Sequence, residues 1–226
     1  MIVTGIERQK RHPERVNIYL EGKFAFGIHQ DVLVKYGLRK GDEIDDRTLN
    51  SISSDQEIAL AKQKAMRLLH YRMRSVHEMR HRLTEKKFPP AVIDTVMEQL
   101  QNTGLLDDLA FAKACIHDLQ LKKPAGTRLL RQHLMKRGVP QAVINELLQD
   151  SPGQDDEFRV ALTAAKAQLK RLQSSRKQIE IQKQQQRLAG FLTRRGFNWS
   201  VITPILKQLF HNVELQEEDH DVIGRV

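Results

Sequence analysis

Cysteine, aromatic side chains and long apolar runs are all scarce in this 226-residue chain. The single Cys115 cannot form an internal disulfide, and no Cys/His cluster has zinc-ligand spacing, so Cys115 reads as a core thiol on an apolar helix face. Aromatic residues make up 5%, and there are only 12 Gly and 7 Pro, while 29% of residues are charged and 40% hydrophobic; this balance favours a helical globular protein over a disordered or fibrous one. No stretch approaches the roughly 20 apolar residues of a membrane span. The opening MIVTGIERQK lacks the apolar core of a secretion signal, so a cytoplasmic protein without a membrane partner is expected. Enzyme signatures are missing too. No Gly-rich loop precedes Lys-Ser or Lys-Thr, and neither a Gly-x-Ser-x-Gly elbow nor a His-Glu-x-x-His motif occurs. His77 and His81 have ligand-like spacing but read as surface histidines. Hence no catalytic residue, metal site or cofactor is expected.

What is present begins with a change of period. Val16, Ile18 and Leu20 alternate with polar residues, as do Phe24, Phe26 and Ile28, with a Glu21-Gly22 turn between them. Ile2 to Ile6 offers a third strand, Gln30 to Tyr36 a short helix stopped by Gly37, and Lys40-Gly41-Asp42 a turn. From about Asp55 the pattern is helical and repeats. LTEKKFPPAVIDTVMEQL from Leu83, LMKRGVPQAVINELLQD from Leu134 and LTRRGFNWSVITPILKQL from Leu192 align without a gap. Each has an apolar residue five positions after the leucine (Phe88, Val139, Phe197), then Val92-Ile93, Val143-Ile144 and Val201-Ile202 on one helix stripe. The turn between carries Lys87, Gly138 or Gly196, the two glycines suited to a left-handed cap and Lys87 less so; Pro90 and Pro140 follow where a first helical turn tolerates a missing donor.

A third helix precedes each pair: Ile58 to Tyr71, then one after Asp107-Asp108, then one after Asp155-Asp156. The paired aspartates read as helix caps and first-turn acids, and Ser75 with Glu78 as a capping box. The Gln-rich stretch SSRKQIEIQKQQQRLAG reads as an extended helix. The expected fold is therefore mainly α: three tandem three-helix modules, elongated, behind a small N-terminal β-containing cap. The boundaries are a cap at 1–53, modules at 54–106, 107–153 and 154–213, and an acidic tail at 214–226. Leu83, Val92, Ile93, Leu134, Val143, Ile144, Leu192, Val201 and Ile202 are the expected core.

The formal net charge of +9 points to an acidic partner. Nine Lys/Arg residues lie between Lys62 and Lys87 against only Glu78 and Glu85, whereas Glu214, Glu217, Glu218, Asp219 and Asp221 reverse the sign at the end. Three-helix units with a tight turn resemble helix-turn-helix DNA readers, but three in tandem suit an extended contact better than insertion into a single groove.

RMRSVHEMRHRL from Arg72, GLLDDLAFA from Gly104 and GTRLLRQHLMKRGVP from Gly126, in that order, resemble the RecX family of bacterial recombination regulators, and VNIYLEGKFAFGI resembles the N-terminal extension of many members. The likeness is strongest from Ala65 to Leu148 and weakest in module three and the tail. It implies a monomeric, non-enzymatic protein that lies in the groove of the RecA-DNA filament, bridges protomers, and inhibits strand exchange and coupled ATP hydrolysis, with weak affinity for single- and double-stranded DNA. Such a role belongs to DNA repair and the SOS response. Arg72, Arg74, Ser75, Glu78 and Leu83 match the first motif; Leu106, Asp107, Asp108, Phe111 and Ala112 the second; Gly126, Arg128, Leu134, Lys136 and Gly138 the third. Most of these belong to folding. The expected filament or DNA contacts are Arg72, Arg74, Arg128 and Lys136, with neighbouring Arg80, Arg82 and Arg131. An independent architectural or transcriptional DNA-binding protein is the alternative.

Overall fold

The computed structural model describes residues 1–149, 154–174 and 180–210. The acidic tail from Glu214 lies outside the described residues. Strands β1 (Val3–Arg8), β2 (Arg15–Leu20) and β3 (Lys23–His29) form an antiparallel sheet in sequence order. Glu21 and Gly22 join β2 to β3 with φ of 51° and 80°, the positive pair whose twist matches a two-residue hairpin. Val16, Ile18 and Leu20 face inward; Phe24, expected to alternate with them, is exposed and meets Tyr19 edge to face. Helix α1 (Gln30–Tyr36) stops at Gly37 in the left-handed conformation, as its sequence suggested.

Helix α2 (Asp46–Tyr71) starts well before Ile58. Asp45 caps it by accepting from the Thr48 amide at 2.8 Å, and its early turns bury Ile52 and Gln56 against the sheet. Gln56 accepts from the backbone amide of His29, which ties α2 to the β3–α1 junction. α2 thus serves the cap with its first turns and module one with its last, where Ala61 and Ala65 pack with α3 (Val76–Glu85) and α4 (Pro90–Asn102).

The chain divides into two compact units, Met1–Asp107 and Asp108 onward. The second contains module two, α5 (Asp108–Lys122), α6 (Thr127–Lys136) and α7 (Gln141–Gln149), and module three, α8 (Gln154–Gln173), α9 (Ile181–Arg194) and α10 (199–210). No helix among the described residues is long and apolar enough to cross a membrane. Of the nine expected core residues, Leu83, Leu134, Leu192, Ile144 and Ile202 are completely inaccessible and Val92, Ile93 and Val201 nearly so; Val143 is half-buried, packed against the module-two cluster from its rim.

The end of the second helix is built alike in every module. The Leu83, Leu134 and Leu192 carbonyls accept the amides of Phe88, Val139 and Phe197, while Lys87, Gly138 and Gly196 donate to Thr84, Met135 and Thr193. This is a Schellman motif, in which the leucine that heads the repeat and the apolar residue five positions on close a hydrophobic contact over the turn. Gly138 and Gly196 have φ of 72° and 81°; Lys87 has 62° and carries a Cβ into that strained region. Pro90 is the first residue of α4, but Pro140 stands one place before α7, its carbonyl accepting from Ile144.

Two expectations shift at module three. Asp155 and Asp156 fall inside α8, which begins at Gln154, so they are first-turn residues. The Gln-rich stretch is helical from Ile181, whereas α8 ends at Gln173; residues 175–179 between lie outside the described residues.

Leu134→Ala should lower the unfolding free energy by about 2 to 5 kcal/mol in urea titrations, because Phe111, Ala112, Val139 and Ile144 surround the site. Lys87→Gly should raise it by about 0.5 to 1 kcal/mol, the left-handed strain relieved less the extra entropy of a glycine.

Candidate partner-binding surface

The expected contact residues fall in two sets, one in each unit. In module one, Arg72 ends α2 and its Nη1 donates to Glu78 Oε2 at 2.7 Å and to the Met73 carbonyl. Arg80 reaches from α3 to Asp94 on α4, and Arg82 pairs with Glu85 one turn on at 2.7 Å. The donated bond from Arg82 holds the Glu85 carboxyl below the usual range, and His81 lies 3.4 Å from the same group. Arg74 is 9% exposed, with Nε aimed at the Leu68 carbonyl. Burial lowers its pKa, Arg72 and Arg82 add to the effect and Glu78 opposes it. A guanidinium so placed braces the α2–α3 corner. Of the four arginines expected as contacts in module one, three thus have a carboxylate partner and the fourth, Arg74, is buried.

Module two keeps cations and loses the acids. In the repeat alignment Arg80 corresponds to Arg131, but Glu78, Glu85 and Asp94 correspond to Leu129, Lys136 and Asn145. Arg131 accordingly donates to the neutral Asn145 Oδ1 at 2.7 Å, the same α6-to-α7 reach as the Arg80–Asp94 pair with the charge removed. Between Asp118 and Glu146 there is no Asp or Glu, against Lys122, Lys123, Arg128, Arg131, Lys136 and Arg137. Arg128, Gln132 and Lys136 are exposed and, at four-residue spacing, share one stripe of α6. Among the described residues neither Arg128 nor Lys136 has an ion-pair partner. Burial, with Arg137 and Lys136 nearby, pushes the pKa of His133 down.

A count of Lys and Arg along the chain makes module one the richer patch. Among the expected contacts, the geometry leaves Arg128 and Lys136 on the α6 stripe without an ion pair among the described residues, whereas Arg72, Arg80 and Arg82 are already engaged. The signal lay in the sequence, in the three acids that the second repeat replaces. Among the described residues no group of three or more His, Cys, Asp or Glu could hold a metal ion.

Known proteins share this architecture. A solved structure described as the regulatory protein RecX superposes with a TM-score of 0.75 at 28% identity, covering 90% of this chain and 98% of its own. RecX from Lactobacillus salivarius, at 18% identity and a TM-score of 0.60, shares the fold over 68% of this chain and 96% of its own. The regulatory protein RecX of Bacillus subtilis is 33% identical across 96% of this chain and 81% of its own length, and that of Bacillus pumilus 31% identical across 98% and 82%. Family models match in tandem: the RecX N-terminal domain over 1–45, and its first, second and third three-helix domains over 61–100, 107–148 and 160–206. With the β cap and all three helical modules each matched in order, the chain belongs to the RecX family of regulatory proteins.

Proposed function

We propose that this protein regulates a RecA-type recombinase by binding the RecA-DNA filament, mainly inhibiting strand exchange and the coupled ATP hydrolysis. It acts in the cytoplasm as a monomer, catalyses no reaction, and touches single- and double-stranded DNA weakly. Family membership supports the regulatory role, and the observation that carries the mode of action is the α6 stripe. Cations that hold no ion pair are available to an acidic partner without first breaking one, so their attraction is not offset by a lost contact. Arg128 and Lys136 are the leading contacts, with Arg131 beside them; Arg72, Arg80 and Arg82 contribute after exchanging partners, and Arg74 holds the corner that presents Arg72.

Strand exchange by the matched recombinase, with this protein titrated in, tests the reading directly. Binding to a preformed filament should be much tighter than to DNA or RecA alone; equal affinity for bare DNA would favour an independent DNA-binding protein. Arg128→Glu with Lys136→Glu should raise the half-inhibitory concentration at low salt on the order of tenfold, and more than Arg80→Glu with Arg82→Glu. The difference from wild type should shrink as salt rises, since screening weakens the wild type too. Circular dichroism should stay near native, because all four positions are exposed on helices and Arg, Lys and Glu are all good helix formers.

Removing residues 214–226 deletes Glu214, Glu217, Glu218, Asp219 and Asp221 along with Arg225. Affinity for non-specific DNA should then rise at low salt, by titration of a labelled duplex, if the tail competes with phosphates for the basic surface.

A further inference from the structure

A helix leaves its first amides without partners within the helix, and the second helices of modules one and two differ in the side chain that stands before them. In module one Ser75 stands before α3 and its Oγ accepts from the Glu78 amide at 3.0 Å, the local cap expected of a Ser-x-x-Glu sequence. The repeat alignment puts Gly126 in place of Ser75 and Leu129 in place of Glu78, so both members of the capping box are gone. Gly126 makes no side-chain cap.

The amides are satisfied from module three instead. Gly126 N donates to the Arg195 carbonyl at 2.8 Å, Thr127 N to Glu157 Oε1 at 2.9 Å and Arg128 N to the Gly196 carbonyl at 3.1 Å. Arg195 and Gly196 end α9, so a carbonyl-rich helix terminus meets an amide-rich one, and the Glu157 carboxylate adds negative charge at the positive end of α6. The fit leaves no room for side chains. A Cβ at residue 126 would fall 2.5 Å from the carbonyl carbon and oxygen of Gly196, and one at residue 196 would fall on the Leu129 amide nitrogen. Gly126 has φ of −81° and ψ of 165°, ordinary values close to the −72° and 161° of Ser75. Its glycine is therefore required by space and not by backbone conformation.

We infer that modules two and three are coupled as one body through this donated cap, and that Gly126, Leu129, Glu157 and Gly196 are positioning residues that fix the direction in which α6 presents Arg128 and Lys136. The coupling stands on the geometry alone, and its consequence for inhibition rests on the filament reading above.

Gly126→Ser separates the joint from a local role. By the rules for an isolated helix, serine caps at least as well as glycine, so a locally capped α6 would keep or gain stability. With the joint, the same change should speed hydrogen exchange at the amides of residues 126, 127 and 128 by about tenfold or more, measured by NMR on the full chain, while α4 amides are unchanged. In the wild type those three first-turn amides should exchange as slowly as those in the middle of α6. Wild-type amides that exchange as fast as unbonded ones, or a serine variant with unchanged protection, would overturn the coupling. Glu157→Ala supplies an arm that inserts no side chain: it should speed exchange at Thr127, and Glu157→Gln, which keeps an acceptor oxygen, should restore most of the protection. An alanine variant with Thr127 unaffected would count against the joint even if the serine variant did not fold. The half-inhibitory concentration of Gly126→Ser, whose charge is that of the wild type, should rise by about tenfold. Unchanged inhibition by a variant that has lost protection would overturn the positioning role. A wild-type chain that fails to inhibit would overturn the filament reading and leave the coupling to the exchange data.

Discussion

The turn that ends the second helix of each module is the constraint on which the rest depends. Helices of ten to fourteen residues such as α3, α6 and α9 are marginal in water by themselves. The Schellman turn satisfies their last carbonyls and at the same time reverses the chain, so that the apolar stripe of the next helix closes on the leucine that accepts the turn's bond. Leu83, Leu134 and Leu192 are fully buried because they are both hydrogen-bond acceptors at the corner and the centre of the module's core. Losing the turn would open both at once.

That double duty explains why the repeat is legible in the sequence. A leucine, a left-handed position and an apolar residue at fixed offsets are demanded by one piece of geometry, and they survive in register even where Lys87 must tolerate the glycine's backbone conformation. The early half of α2 had no such signature. Between Asp46 and Glu57 it buries only Ile52 and Gln56, too few positions to impose a helical period on the sequence, and one of them is a polar side chain held by a backbone amide at the cap. Phe24 misled in the opposite direction: alternation places a residue on a face of a strand but does not say whether that face is covered at that end of the sheet.

The candidate surface was only half legible for a related reason. Counting Lys and Arg finds a basic segment, but an ion pair depends on what a neighbouring helix brings, and Asp94 reaches Arg80 from α4. Pairing is a property of the module and not of the run. Comparing the repeats position by position recovers it, because a shared backbone makes residues at the same offset occupy the same neighbourhood: Asp94 and Asn145 both receive an arginine, and only one of them neutralises it. Exposure is likewise a matter of packing, which is why Arg74 carries a charge in a motif yet sits against the Leu68 carbonyl.

Repeats that share a fold need not share a job, and the differences between them are therefore informative. A position under the same constraint in every copy, like the leucine before the turn, reports on folding. A position that is a cap in one copy and bare backbone in the next reports on what that copy touches. Ser75 gives α3 a side-chain cap at its start; Gly126 gives α6 none, and its first amides bond to Arg195, Gly196 and Glu157. Dependence of this kind exchanges local autonomy for fixed geometry between neighbours. For a contact spread over more than one small module, that exchange is favourable: domains joined loosely must be ordered during binding, at a cost in rotational freedom, whereas domains already joined through their backbones have met that cost on folding. The same replacements that remove the local cap also remove the carboxylate that Arg72 uses in module one, Glu78 giving way to Leu129. The capping serine and the acid three places on are thus replaced together, the one by the glycine that lets the helix dock on its neighbour and the other by an apolar side chain.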